Sequence, residues 1–226
     1  MTDHNSQTFG LGEAKEIIHF ADDAYYLVGG ASVIATQLLA SVEEVVRDAP
    51  LRYMTTKMGF NMSAKMTNCG TLGWVSDRKG YRYSAIDPLT SIPWPTMPTL
   101  FARFATQAAQ RVGFNNFHPD ACLINQYKVG ASMGLHQDID EQDFSQPIVS
   151  VSLGLPATFL FGGHARTDKP IKIALKHGDM IVWGGKSRKH FHGIMPIKKQ
   201  DLSLFDDTLG EFRINLTFRK AGAKRD

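Results

Sequence analysis

The stretch Ala121-Cys122-Leu123-Ile124-Asn125-Gln126-Tyr127 puts Leu123, Asn125 and Tyr127 on one side of an extended backbone, because successive strand side chains point to opposite faces. The same period returns in Val149, Val151, Leu153 and Leu155, and again in Phe159 and Phe161. Gly162-Gly163, His177-Gly178-Asp179 and Gly184-Gly185 punctuate further short strands, of which Met180–Trp183 and Arg213–Arg219 read most clearly. Upstream the period is helical. Ser32 can cap a helix carrying Ile34, Leu38, Val42 and Val45, with Glu43 and Glu44 outward and Pro50 beyond its end. A second helix starts near Pro98 and runs through Leu100, Phe101, Phe104, Ala108 and Val112 to Gly113, a residue suited to a left-handed terminal turn. Many short strands after two helices predict an α+β double-stranded β-helix, or jelly roll, buttressed by helices on one face.

A chain of 226 residues with 43% apolar side chains can bury a sizeable core, and one domain over 1–226 is expected. Within it, about 119–222 reads as the jelly-roll core. About 51–95, rich in Gly, Met and aromatics without clean periodicity, reads as a lid or binding loop. Met1–Gly12 lacks the features of a signal peptide, and no apolar run reaches membrane-spanning length. A soluble, cytoplasmic monomer with no membrane partner is therefore expected. Cys69 and Cys122 lie far apart in sequence and outside any Cys-x-x-Cys spacing, which predicts packed thiols rather than a disulfide or a zinc site.

The net charge of +3 says little about partners, but its distribution says more. From Leu51 to Ile86, Arg52, Lys57, Lys65, Arg78, Lys79 and Arg82 face a single acid, Asp77. Trp74, Tyr81 and Tyr83 are interleaved with these cations, a pattern that suits base stacking beside phosphate contacts. Without the cations, the same aromatics would read as a hydrophobic lid core.

His136-Gln137-Asp138 sets two metal-ligand side chains two residues apart, so an extended backbone turns both to the same side. A bare His-x-Asp carries little weight by itself. A downstream histidine in Lys189-His190-Phe191-His192-Gly193 would complete a two-His, one-carboxylate face suited to Fe(II) and O2, and spacing alone does not choose between His190 and His192. The remaining histidines, His4, His19, His118, His164 and His177, have no partner at ligand spacing. Arg213-Ile214-Asn215-Leu216-Thr217-Phe218-Arg219 alternates strictly, with Arg, Asn, Thr and Arg on one face. At a sheet edge that face would meet water. Inside a barrel, its guanidinium forks would match the carboxylates of a small dianion such as 2-oxoglutarate.

His136-x-Asp138 with the downstream His192, Asn125-x-Tyr127 and the Arg213–Arg219 strand together resemble the AlkB family of Fe(II)/2-oxoglutarate-dependent dioxygenases, in the family's order. The resemblance extends through Met66-Thr67-Asn68-Cys69-Gly70, Gly73-Trp74, Ile86-Asp87-Pro88, Pro119–Asn125 and Val182-Trp183-Gly184-Gly185, covering roughly Leu51 to Gly222. It implies a jelly roll with a nucleotide-recognition lid, Fe(II) as cofactor, and 2-oxoglutarate and O2 as cosubstrates. By resemblance His136, Asp138 and His192 hold Fe(II), and Arg213 clamps the distal carboxylate of 2-oxoglutarate. Asn125, Tyr127 and Asn215 bond the cosubstrate, with Arg219 near its chelating end. Trp74 stacks on the damaged base opposite His136, Asp140 and Tyr81 help recognise it, and Met66, Ser150 and Arg166 complete the substrate side. Phe60 departs from the family where a Tyr would touch a phosphate.

The implied activity is oxidative dealkylation of bases of the 1-methyladenine and 3-methylcytosine type in alkylated DNA, single-stranded or with the base flipped out. RNA or tRNA demethylation by the same chemistry is the alternative. A non-enzymatic jelly-roll metal-binding module is a different class, and it would leave two inward arginines without a ligand.

Overall fold

The computed structural model describes residues 14–199 and 211–222. Its strands are β1 (Glu16–Ala21), β2 (Ala24–Val28), β3 (Arg52–Thr55), β4 (Asn61–Gly70), β5 (Gly73–Asp77), β6 (Gly80–Ser84), β7 (Ala121–Lys128), β8 (Met133–His136), β9 (Ile148–Gly154), β10 (Ala157–Phe161), β11 (Ile171–Leu175), β12 (Met180–Trp183), β13 (His192–Ile194) and β14 (Phe212–Arg219). The helices are α1 (Ala35–Asp48) and α2 (Thr99–Arg111). An eight-stranded antiparallel sheet in the order β1-β2-β12-β9-β14-β7-β4-β3 faces a four-stranded one in the order β11-β10-β13-β8. This is the expected jelly roll with helices on one face.

The alternation of β14 becomes two environments. Ile214, Leu216 and Phe218 pack with Leu38, Val42 and Val45 of α1 and with Phe101, Phe104 and Ala108 of α2. Arg213, Asn215, Thr217 and Arg219 turn into the space between the sheets. β14 lies between β9 and β7, so it is a central strand and not a water-facing edge. Every residue of β9 is buried, as expected of a strand covered on both sides.

The helix boundaries follow local chemistry in part. At the end of α2, Gly113 takes φ +92, its N–H donates to the Gln110 carbonyl, and the Phe114 N–H donates to Ala109. That is the paired hydrogen bonding of a glycine-terminated helix, as the sequence predicts. Ser32 behaves differently from its expected capping role. It sits within a short 3₁₀ turn, Ser32–Ile34, that precedes α1, and no side chain caps the helix.

Three features of the first half were not legible in the pattern. β1 and β2 form a hairpin that joins the large sheet through β12, turning at Asp22 and Asp23, the latter with φ +53. Its run Glu-Ile-Ile-His-Phe-Ala does not alternate, and Ile17 and Ile18 are both exposed. Within 51–95, the structure places β3 and the ten-residue β4 in the large sheet beside β7. Only β5 and β6 form a separate two-stranded sheet. Finally, Cys69 and Cys122 face one another across β4 and β7 as buried free thiols. They are packed thiols as expected, but they are neighbours in space. Among the described residues, no helix is long and apolar enough to cross a membrane.

Candidate metal and cosubstrate centre

β8 and β13 pair so that His136 and His192 lie directly opposite each other. The close approach needs Gly193, because a Cβ there would come 2.7 Å from the Met133 carbonyl oxygen. Asp138 follows two residues after the end of β8, and the ligand-capable atoms of His136, Asp138 and His192 all lie within 4.8 Å of one another. The structure thus answers what spacing left open. His192 joins this group, whereas His190 stacks edge-on to His164, with ring centroids 4.5 Å apart, and lies against Phe161.

Both imidazoles are set in one orientation. His136 Nδ1 lies 2.9 Å from the Gly134 carbonyl oxygen, and His192 Nδ1 lies 3.0 Å from that of His190. A proton on each Nδ1 satisfies those carbonyls and leaves each Nε2 with a lone pair. The two Nε2 atoms sit 3.8 and 3.7 Å from the Asp138 carboxylate oxygens. Burial pushes His192 down to about 3, so the ring is neutral at physiological pH. Asp138 loses solvation by burial too, but the Arg219 guanidinium beside it holds its carboxyl below the usual range and keeps it ionised. Two imidazoles and one carboxylate on one face are the donor set that suits Fe(II) with open positions for other ligands.

Behind the triad is a cavity of about 60 Å3 lined by Asn125, Tyr127, Arg213, Asn215 and Arg219, all five residues expected around 2-oxoglutarate. Ser150, Thr217, Phe159 and Trp183 also line it, and of these only Ser150 was picked out from the sequence. Arg213 is 1% exposed, spends Nη2 on Ser152 Oγ at 3.0 Å, and lies over the Tyr127 ring at 5.1 Å. Among the described residues its Nε and Nη1 have no hydrogen-bond partner, and neither does Asn125 Oδ1. A buried N–H without an acceptor costs about 1–3 kcal/mol, more when charged. A guanidinium left in that condition fits a carboxylate that arrives with the cosubstrate.

Residues 25–219 match the 2OG-Fe(II) oxygenase superfamily. The chain is 50% identical over 215 residues to the alpha-ketoglutarate-dependent dioxygenase AlkB of Salmonella typhimurium, covering 91% of this chain and 98% of that protein. The chain belongs to the AlkB family. It is accordingly an Fe(II)- and 2-oxoglutarate-dependent dioxygenase that uses O2. An Arabidopsis thaliana relative named DNA N(6)-methyladenine demethylase ALKBH1C is 34% identical over 171 residues, 66% of this chain and 38% of that protein. Among solved structures, that of OsALKBH1 covers 90% of this chain and 99% of its own, with a TM-score of 0.75 at 26% identity.

Within this AlkB-family fold, Arg219 is spent mainly on the Asp138 carboxylate. Its Nε and Nη2 donate to Asp138 Oδ2 at 2.9 and 2.7 Å. Glu141, which the sequence does not single out, is buried against Arg188 and Arg219. Nothing in local spacing marks it, because its burial depends on elements remote in the chain.

The substrate-side candidates form two groups. Trp74 stacks on Tyr81 with centroids 5.5 Å apart, and its Nε1 donates to Asp140 Oδ2 at 2.8 Å. Ser150 lies inside the barrel, accepting from Asn215, and Met66 is wholly buried there. Arg166 stands apart from both, exposed over the Phe191 ring. Among the cations of 51–86, Arg52 is paired to Asp87, and Arg82 is held by both Asp77 oxygens at 2.9 and 2.8 Å. Arg82 is therefore less free for phosphate than the sequence suggests. Phe60 is exposed on the turn between β3 and β4.

Proposed function

We propose that this dioxygenase removes N-alkyl groups from bases of the 1-methyladenine and 3-methylcytosine type in DNA, reversing alkylation damage directly. The observation that carries the reading is the Trp74–Asp140 hydrogen bond, which fastens the aromatic plane of the β5–β6 hairpin two residues from Asp138. A base lying on Trp74 is then beside the metal face. Arg78 and Lys79 at the hairpin turn supply charge for the backbone phosphates. The name of the Arabidopsis relative supports a nucleic-acid substrate.

His136, Asp138 and His192 would hold Fe(II), and Arg213 would take the distal carboxylate of 2-oxoglutarate. When bound, the metal and cosubstrate supply oxidising power: O2 converts 2-oxoglutarate to succinate and CO2, and its second oxygen atom is inserted into an N-alkyl C–H bond. The hydroxylated alkyl group then leaves as an aldehyde and restores the base. The protein's residues position that carbon and exclude other oxidisable groups. Asp140 favours a cationic methylated base, since opposite charges attract more strongly away from bulk water. A stacked base inside a duplex does not reach such a pocket, so the reading includes single-stranded substrate or a flipped base. It also includes a monomer working in the cytoplasm, where Cys69 and Cys122 stay reduced.

Aerobic incubation with Fe(II), 2-oxoglutarate and oligonucleotides carrying 1-methyladenine or 3-methylcytosine, as DNA and as RNA, tests this reading. Succinate and formaldehyde should appear together with methylated DNA. Formaldehyde from RNA alone would reassign the substrate, and none from either would refute the reading.

A further inference from the structure

Glu141 occupies a place that the proposed chemistry does not by itself require. It is 6% exposed, in the loop after the metal-ligand Asp138, and it meets groups from three separate parts of the chain. Tyr83 on β6 donates its hydroxyl to Glu141 Oε1 at 2.8 Å. Arg219 Nε, at the end of β14, lies 3.4 Å from the same oxygen, and Arg188 Nη2 pairs with Oε2 at 3.1 Å. Arg219 then holds Asp138 Oδ2, while Arg188 donates to the Asp138 backbone carbonyl at 2.9 Å. Two carboxylates and two guanidiniums thus balance inside the protein, where an unpaired charge would be costly. One end of this cluster is the recognition hairpin and the other is the carboxylate of the metal triad.

We propose that Glu141 is a positioning residue through which the β5–β6 hairpin and the Asp138 metal ligand report on one another, by way of Tyr83 and Arg219. A second tie from the hairpin to the loop that carries Asp138 is the Trp74–Asp140 hydrogen bond. β5 and β6 pair only with each other, and a two-stranded ribbon is marginal without outside contacts. The Tyr83 hydroxyl is therefore well placed to fix the hairpin's seating. Arg219 bonds Glu141 and Asp138 through one rigid fork, so a shift of Glu141 reorients the guanidinium that sets Asp138 Oδ2. The consequence is a centre whose readiness depends on how the hairpin is seated. Base occupancy on Trp74 is then felt at the metal ligands, which limits 2-oxoglutarate consumption without a base in place. This last consequence rests on the base-dealkylation reading above; the coupling itself does not.

Coupling between sites is reciprocal, so it is measurable without turnover. Hydrogen exchange of residues 73–84 is followed in the metal-free protein and with Mn(II) bound anaerobically, for the unaltered chain, Tyr83→Phe and Glu141→Gln. Mn(II) should slow hairpin exchange several-fold in the unaltered chain and markedly less in Tyr83→Phe. Tyr83→Phe should weaken Mn(II) binding by the factor of protection lost. Equal protection and equal Mn(II) affinity in Tyr83→Phe would overturn the proposal, even if Glu141→Gln fails to fold. Under turnover, succinate formed per formaldehyde should rise in Tyr83→Phe, whereas a purely structural defect lowers both together. Absence of formaldehyde from the unaltered chain with intact Mn(II)-dependent protection would sink the substrate reading and leave the coupling standing.

Discussion

The barrel interior and the β5–β6 hairpin solve opposite problems within a few ångströms of each other. The interior places its groups on strands locked into two sheets. Arg213, Asn215, Thr217 and Arg219 project from β14, which is bonded along its length to β7 and β9. The hairpin presents Tyr81, 53% exposed, and a half-buried Trp74 on a two-stranded ribbon outside both barrel sheets, held by side-chain bonds such as Asn68–Trp74 and Tyr83–Glu141. Redox chemistry needs ligands fixed to a fraction of an ångström, so it sits where packing over-determines geometry. Under the proposed function, recognition of a base that must enter and leave sits where the fold is thin.

If the difference is real, variants should separate the two regions. The largest effect is expected inside. His136→Ala should lower Fe(II)-dependent turnover by more than about 100-fold, since even groups that merely orient metal ligands are worth 10–100-fold. Turnover retained in a metal-controlled assay would remove His136 from the ligand set. Next, Arg213→Ala should raise the 2-oxoglutarate requirement by roughly 10- to 150-fold, as a hydrogen bond to a charged group contributes about 1.5–3 kcal/mol. An unchanged requirement would mean that the unpaired guanidinium awaits some other anion.

On the hairpin, Trp74→Ala should cut turnover of methylated oligonucleotide by roughly 5- to 150-fold, from about 1–3 kcal/mol of stacking. Anaerobic Fe(II)/2-oxoglutarate binding should remain. Loss of cosubstrate binding would show that the two regions are one structural unit. A final test reads stability against pH. The folded protein holds His192 at about 3 against an ordinary 6.5, so the unfolded chain binds a proton that the folded one refuses. This contribution to stability is complete above about 6.5 and is lost as pH falls toward 3, with a slope of at most about 1.4 kcal/mol per pH unit for one proton. Denaturant titrations of metal-free protein across that range should therefore show less pH dependence in His192→Asn.

Much of the interior could be read from the chain because a strand's period is local. The alternation of Arg213–Arg219 settles which side chains share a face, and the two-residue spacing of His136 and Asp138 turns both the same way. The five residues expected around the cosubstrate all line one cavity. Reading failed where identity depends on a partner distant in sequence. Glu141 looks like its acidic neighbours until Arg188, Arg219 and Tyr83 converge on it. Arg82 differs: its partner Asp77 is five residues earlier and takes both its terminal nitrogens once the β5–β6 hairpin closes. β4 lacked a clean period because its burial pattern is uneven, and β1 because its isoleucines are consecutive and exposed.

The sequence by itself determined the strand-rich antiparallel architecture, which side chains of the last strand share a face and the ligand types of a two-imidazole, one-carboxylate metal face. Strand spacing left His190 and His192 equal until the tertiary structure separated them, and the tertiary structure alone set Cys69 beside Cys122 and buried Glu141 between two guanidiniums. The physical reason is range. Backbone geometry repeats every two residues and is written locally, whereas register, burial and charge pairing exist only once remote strands have met.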